Sequence, residues 1–222
     1  MDYECIESVL RSCRADYAEF RSERRRVTRI VYLGRRLETV DTTLDEGGIV
    51  RVLVRNGGWG ISTFNSLDNL EHRFDQAYQS ARLVQAEPIS LAPVAFAHDE
   101  IRATLGTDFR HVPLVRKKEL IEGYNDILLS FGRIVDTQAV YMDEFVTVTY
   151  MNSEGAFIIE ERPMVTVYLA ATAREGSNVQ RAADGVSVPA GYERVLGLEE
   201  MARKVAQRAV DLLAAETVVG GV

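Results

Sequence analysis

GGIVRVLVRNGGWGISTFNSLDN, residues 47–69, is the stretch whose reading decides the fold. Val50, Val52 and Val54 alternate with Arg51, Leu53 and Arg55, which is the two-residue period of a strand. Asn56-Gly57-Gly58 supplies residues that tolerate positive φ, so a hairpin is expected there. Trp59, the only tryptophan, opens a returning strand over residues 59–64. Ser66 is placed to cap the helix that follows. With a buried ring, Trp59→Ala would cost about 3 kcal/mol or more.

Working outward toward the N-terminus, Ile6, Val9, Leu10 and Cys13 share one face of a helix over residues 2–13. In residues 17–26, Ala18 and Phe20 alternate with charged residues, as on a strand with one wet face. Residues 28–33 and 36–43 read as further strands joined at Gly34-Arg35, and residues 45–48 read as a loop. Beyond the opening stretch, a helix over residues 67–85 carries the stripe Leu67, Leu70, Phe74, Ala77, Ala81 and Val84. Residues 86–93 are breaker-rich, and residues 94–111 carry no clear pattern and read as a loop or mobile segment. Pro113 starts a helix that runs to about residue 131 and buries Leu120, Ile121, Tyr124, Leu128 and Phe131.

Strand character then returns over residues 134–150, 156–162 and 165–174, with a turn at Asn152-Ser153-Glu154-Gly155. Residues 175–189 read as a loop with a short strand near 179–182, and residues 198–215 as a closing amphipathic helix. The tail, 217–222, has no element of its own. Strands come in blocks rather than singly between helices, so the expected class is α+β, with antiparallel strand meanders covered by amphipathic helices.

The 222 residues suffice for a substantial core. The formal net charge of −7 argues against a phosphate-binding surface, so no nucleic-acid partner is expected. The basic run Arg24-Arg25-Arg26 lies near Glu19 and Glu23 and reads as a solvated strand end. No run of about 18 apolar residues occurs, so no membrane partner is expected. The first residues, MDYECIESVL, lack the pattern of a signal peptide. Cys5 and Cys13 lie on one predicted helix, about 12 Å apart in rise, too far for a disulfide. Both are expected to be free thiols and small core residues, in a cytoplasmic protein.

No constellation of catalytic residues emerges. His72, His98 and His111 do not pair at helical spacing, and none belongs to an HExxH-like helix. No GxSxG elbow occurs, and nothing in the sequence brings a Cys–His dyad together. GGWG lacks the spacing of a phosphate loop, so its glycines are assigned to the hairpin. Asp143-Glu144 and Glu160-Glu161 are adjacent on strands, face opposite sides, and read as sheet-surface charges. The expected catalytic, cofactor-binding and metal residues in this chain are therefore none.

Two separated blocks, in order, resemble the N-terminal part of the TldD/PmbA family of zinc metallopeptidases, whose label is modulator of DNA gyrase. They are ADYAEFRSERRRVTRIVYLGRRLETVDTTLDEGGIVRVLVRNGGWGISTFNSLD, residues 15–68, and TVTYMNSEGAFIIEERPMVTVYLAATAREGSNVQRAADG, residues 147–185. The resemblance implies zinc bound through an HExxxH helix and a later cysteine. No such motif occurs in the 222 residues, and Cys5 and Cys13 do not match that cysteine. The expectation is thus a single N-terminal domain, residues 1–222, with strand blocks at about 15–64 and 134–182 and a closing helix at about 198–215. Zinc belongs to a catalytic domain beyond it, and the chain alone is expected to be inactive. The implied partners are a peptide or protein substrate and another family subunit, in a homodimer, heterodimer or larger assembly. A non-metal TldE/PmbA-type partner subunit and a stand-alone peptide-binding module are the alternatives.

Overall fold

The computed structural model describes residues 3–84, 87–216 and 220. The elements run α1 (Tyr3–Ser12), β1 (Tyr17–Leu33), β2 (Arg36–Leu53), β3 (Trp59–Phe64), α2 (Leu70–Leu83), β4 (His98–Ile101), α3 (Leu114–Leu129), β5 (Ile134–Asn152), β6 (Phe157–Glu175), β7 (Asn178–Val188) and α4 (Glu199–Asp211). Short 3-10 turns lie at Phe109–His111, Tyr192–Val195 and Leu212–Ala214. The hydrogen-bonding order is β3-β2-β1-β5-β6-β4, with β7 also pairing with β6. The class is α+β, as the blocks of strands predict. The β2–β3 and β6–β7 pairs are antiparallel, whereas β4 runs parallel to β6.

Several expected boundaries change. The strands of residues 17–26 and 28–33 are one strand, β1, so the arginine run lies in its middle rather than at an end. The expected loop at residues 45–48 lies inside β2, where Gly48 pairs with Phe64. A Cβ at Gly48 would come within 2.3 Å of the Arg21 carbonyl oxygen and 2.5 Å of the Phe64 ring. That glycine therefore serves close packing within a strand, not a turn. The patternless segment contains β4, and most of the expected loop at 175–189 is the eleven-residue strand β7. The tail reading at 217–222 falls, apart from Gly220, outside the described residues.

The chain divides into two compact units, and β1, β2, β5 and β6 contribute residues to each. Unit 1 comprises Met1–Arg26, Leu44–Ala103 and Phe145–Arg162. Its core gathers Ile6, Val9 and Leu10 of α1, Phe74, Ala77 and Ala81 of α2, and Phe20, Val52, Phe64 and Met151 from the sheet. Phe20 and Phe64 stack at 5.5 Å between ring centroids. Within α1 the expected face is buried, but Cys13 is half-buried and Cys5 is exposed, so Cys5 is not a core residue.

The expected hairpin forms, and its register runs from Gly48↔Phe64 to Leu53↔Trp59. Its glycines act differently from the expectation. None of residues 56–58 has positive φ. Instead, a Cβ on Gly57 would meet the Ala81 carbonyl at 2.6 Å, and one on Gly60 would meet the Ala77 carbonyl at 1.8 Å. GGWG is bare so that α2 can lie directly on the backbone of the turn and of β3. Ser66 does not cap α2. It donates to the Asp68 carboxylate and accepts from the Asp68 N–H, and the helix starts at Leu70 after Asn69 at φ 58°.

Unit 2 comprises Val27–Thr43, Thr104–Glu144 and Pro163–Val222. Helix α3 follows Pro113 and buries Ile121, Tyr124 and Leu128, and also the polar Lys117 and Asn125, while Leu120 and Phe131 stay partly exposed. The Tyr124 hydroxyl donates to the Val195 carbonyl at 2.8 Å and accepts from the Leu198 N–H at 3.2 Å, tying α3 to the approach of α4. Asp143 is not a surface charge. Its Oδ2 lies 2.5 Å from Lys117 Nζ, and Tyr141 donates to it at 2.7 Å. Burial, then the Asp143 charge, pushes the Tyr141 hydroxyl far above the usual phenol range, so it remains a donor.

Candidate functional site: an aromatic groove in unit 1

On a strand, residues two apart share a face. Tyr17 and Glu19 of β1, Tyr150 and Asn152 of β5, Arg51 of β2 and Trp59 of β3 form one connected cluster by this rule. Tyr17 donates to Glu19 Oε2 at 2.9 Å, Tyr150 reaches the same oxygen at 3.2 Å, and the two hydroxyls are 2.9 Å apart. Asn152 Nδ2 donates to the Tyr17 hydroxyl at 3.3 Å. Arg51 forms an ion pair with Glu19 and places its guanidinium 5.5 Å from the Trp59 ring centroid. Trp59 meets Tyr17 edge-on at 5.9 Å.

Glu19 was expected on a wet face, yet its side chain is only 8% exposed. A carboxylate at that depth needs a countercharge and hydrogen bonds, which Arg51 and the two phenols supply. Burial first, and the bond to Tyr150 second, raises the Tyr17 hydroxyl well above the ordinary phenol range. Tyr17 is therefore a protonated donor at neutral pH, not a base or nucleophile. The cluster orients and recognises; it lacks a group poised to break a bond.

The Asn152-Ser153-Glu154-Gly155 turn sets one end of this cluster. Asn152 Oδ1 accepts from the N–H groups of Glu154 and Ala156, at 3.1 and 2.8 Å, and Gly155 takes φ 99°. Ser153 exchanges bonds with the Ala18 backbone, N–H to carbonyl at 2.8 Å and N–H to hydroxyl at 3.0 Å. The turn thereby holds Asn152 against Tyr17. Residues 91–97 pass beside these side chains, and the Ala97 carbonyl accepts from Phe157 N–H at 2.8 Å. The groove measures about 430 Å³ and is walled chiefly by Tyr17, Trp59, Tyr150, Val94, Phe96 and Ile158.

Trp59 is 38% exposed, which corrects its expected place in the core. Its ring forms a wall of the groove. Trp59→Ala is accordingly expected to cost roughly 1–2 kcal/mol in urea denaturation, not the 3 or more of a buried ring.

The remaining sequence candidates stay apart. His72 lies on α2, His98 on β4 with its ring 5.0 Å from Phe157, and His111 near Asp108 at 3.6 Å. Cys5 and His72 do line one cavity of about 450 Å³, with Glu71 and Asp75. Among the described residues, however, no three His, Cys, Asp or Glu side chains are grouped so as to hold a metal ion. The described residues do not fit a zinc site. Glu160 and Glu161 pair with Arg162 and Arg102; Glu160 is partly exposed, whereas the Glu161 side chain is only 16% exposed and also accepts from the Ala103 N–H, so it is not the solvated charge expected. No helix among the described residues is long and apolar enough to cross a membrane.

The groove cluster is not evident along the chain because its members lie up to 135 positions apart. The available signal was the pair of polar residues at i, i+2 on two strands: Tyr17/Glu19 and Tyr150/Asn152.

Comparison with known proteins agrees with this architecture. The family model described as PmbA/TldA metallopeptidase domain 1 matches residues 18–81, and that of the PmbA/TldA metallopeptidase central domain matches residues 107–213. A metalloprotease from Synechocystis sp. is 32% identical over 212 residues, covering 93% of this chain and 45% of the relative. A metalloprotease from Methanothermobacter thermautotrophicus is 26% identical over 219 residues, covering 97% of this chain and 48% of the relative. The chain thus spans about half the length of these relatives. A protein from Thermotoga maritima described as a modulator of a DNA gyrase has the same fold, with TM-score 0.78 at 16% identity, over 92% of this chain and 46% of its own. TldE from Thermococcus kodakarensis gives TM-score 0.70 at 16% identity, over 91% of this chain and 47% of its own. Two family models in chain order, covering both strand blocks and the helices α2, α3 and α4, place the sequence: the chain belongs to the PmbA/TldD family.

Proposed function

We propose that this chain is the non-catalytic, substrate-handling part of a PmbA/TldD-type zinc metallopeptidase acting on peptides or proteins. The observation that carries this reading is the aromatic groove of unit 1, whose polar groups are fixed by one another and whose walls are apolar. Such a surface suits an extended polypeptide, held by side-chain burial and a few polar contacts. The strands at the ends of the hydrogen-bonding order, β3 and β4, offer edges for pairing with another family subunit. Zinc and the hydrolytic step belong to residues outside these 222, in the proposed cytoplasmic assembly.

The test uses fluorescein-labelled, chemically unfolded casein and the purified 222-residue chain supplied with zinc. The expected result is saturable binding by anisotropy with no new fragments on a gel. Absence of binding, or cleavage by the zinc-supplied chain, would contradict the reading.

A further inference from the structure

We infer that the unit 1 groove selects extended peptide segments in which Lys or Arg alternates with aromatic or branched apolar residues. The inference rests on the substrate-handling reading above and adds the chemistry of the occupant. The groove has room for large side chains at about 430 Å³, and Trp59, Tyr17, Tyr150 and Phe96 give it aromatic surface. Neither Lys nor Arg is among its lining residues.

The charge at its rim is one-sided. Arg51, the nearby cation, is already committed to Glu19 and to the Trp59 face. Glu154, on the exposed turn after β5, has no ion-pair partner among the described residues. A second cavity of about 240 Å³ abuts the same turn through Asn152 and Ala156. It is lined by Glu4 and Glu7 and also lacks Lys and Arg. Glu7 is paired with Arg11, which leaves Glu4 as a further carboxylate with no ion-pair partner among the described residues.

In an extended segment, side chains i and i+2 share one face, while i+1 points to the other. An apolar side chain placed in the groove therefore leaves its neighbours outside it, where a long, flexible Lys or Arg side chain can lie back along the apolar wall and bring its charge to the rim. Cationic neighbours meet Glu154 and the aromatic faces; acidic neighbours meet carboxylate charge of their own sign.

The lone Trp59 reports occupancy by its emission. The probes are two acetylated, amidated heptapeptides, Ser-Lys-Phe-Lys-Phe-Lys-Ser and the same sequence with Glu in place of Lys. The expected result is that the Lys peptide binds at least roughly tenfold more tightly at low salt, with the gap narrowing at high salt. Glu154→Gln, on an exposed turn, is expected to shrink the gap by about threefold or more. Equal affinity of the two peptides, or a gap unchanged in Glu154→Gln, overturns the charge inference while leaving the groove as a peptide site. Failure of both peptides to alter Trp59 emission overturns both.

Discussion

Gly60→Ala is expected to destabilise unit 1 by about 3 kcal/mol or more, near the upper end of overpacking costs. The added Cβ would sit 1.8 Å from the Ala77 carbonyl oxygen, 2.8 Å from its carbon and 2.8 Å from the Ala81 nitrogen. All three are backbone atoms of α2, so no side-chain rotation relieves the clash. The helix must lift from β3 and expose Phe74, Ala77 and Ala81, which are buried in the core. Gly123→Ala is the matched control. Gly123 lies within α3 and has nothing within 4 Å of its would-be Cβ. There the same substitution is expected to stabilise by up to about 1 kcal/mol, through helix propensity alone. Urea denaturation with amide exchange resolved over residues 59–83 checks both. A Gly60→Ala midpoint equal to that of the parent would show that α2 does not rest on the hairpin.

The second large effect concerns unit 2. Lys117→Met is expected to cost about 3–5 kcal/mol, because it strands the Asp143 carboxylate in the interior. The two side chains are 3% and 2% exposed, and the Tyr141 hydroxyl is Asp143's remaining neutral donor. The double variant Lys117→Met/Asp143→Leu is expected to recover part of that loss, since it removes both charges but leaves the Tyr141 hydroxyl without its acceptor. Thermal and urea unfolding of the two single variants and the double variant give the coupling. Additive losses would mean that the two side chains do not act as a pair.

How much of this was legible beforehand depended on whether the signal was local. The two strands of the hairpin, the buried face of α1 and the stripe Leu70, Phe74, Ala77 and Ala81 followed from periodicity, because each element carries its own pattern. Residues 45–48, Asp-Glu-Gly-Gly, read as a loop because that composition favours turns; Gly48 is instead required by the Arg21 backbone beneath it. β7 was mostly hidden by Gly185, whose Cβ would lie 2.7 Å from the Val167 carbonyl on the paired strand. In both strands a glycine marks close backbone approach, a property of the neighbour that is invisible along the chain. The candidate site was hidden for the same reason. Glu19 looks like any exposed strand charge until Arg51, Tyr17 and Tyr150 are brought around it. Asp143 likewise needed Lys117, 26 positions away on α3.

The central claim is that the unit 1 groove receives polypeptide, and Trp59 emission tests it most directly. Titration of the 222-residue chain with unfolded, unlabelled casein is expected to give a saturable spectral shift. Phe96→Asp, at an exposed position on the groove wall, is expected to weaken that binding by roughly tenfold while leaving the melting temperature unchanged. No shift in the parent chain, or the same titration curve for Phe96→Asp, would contradict the account.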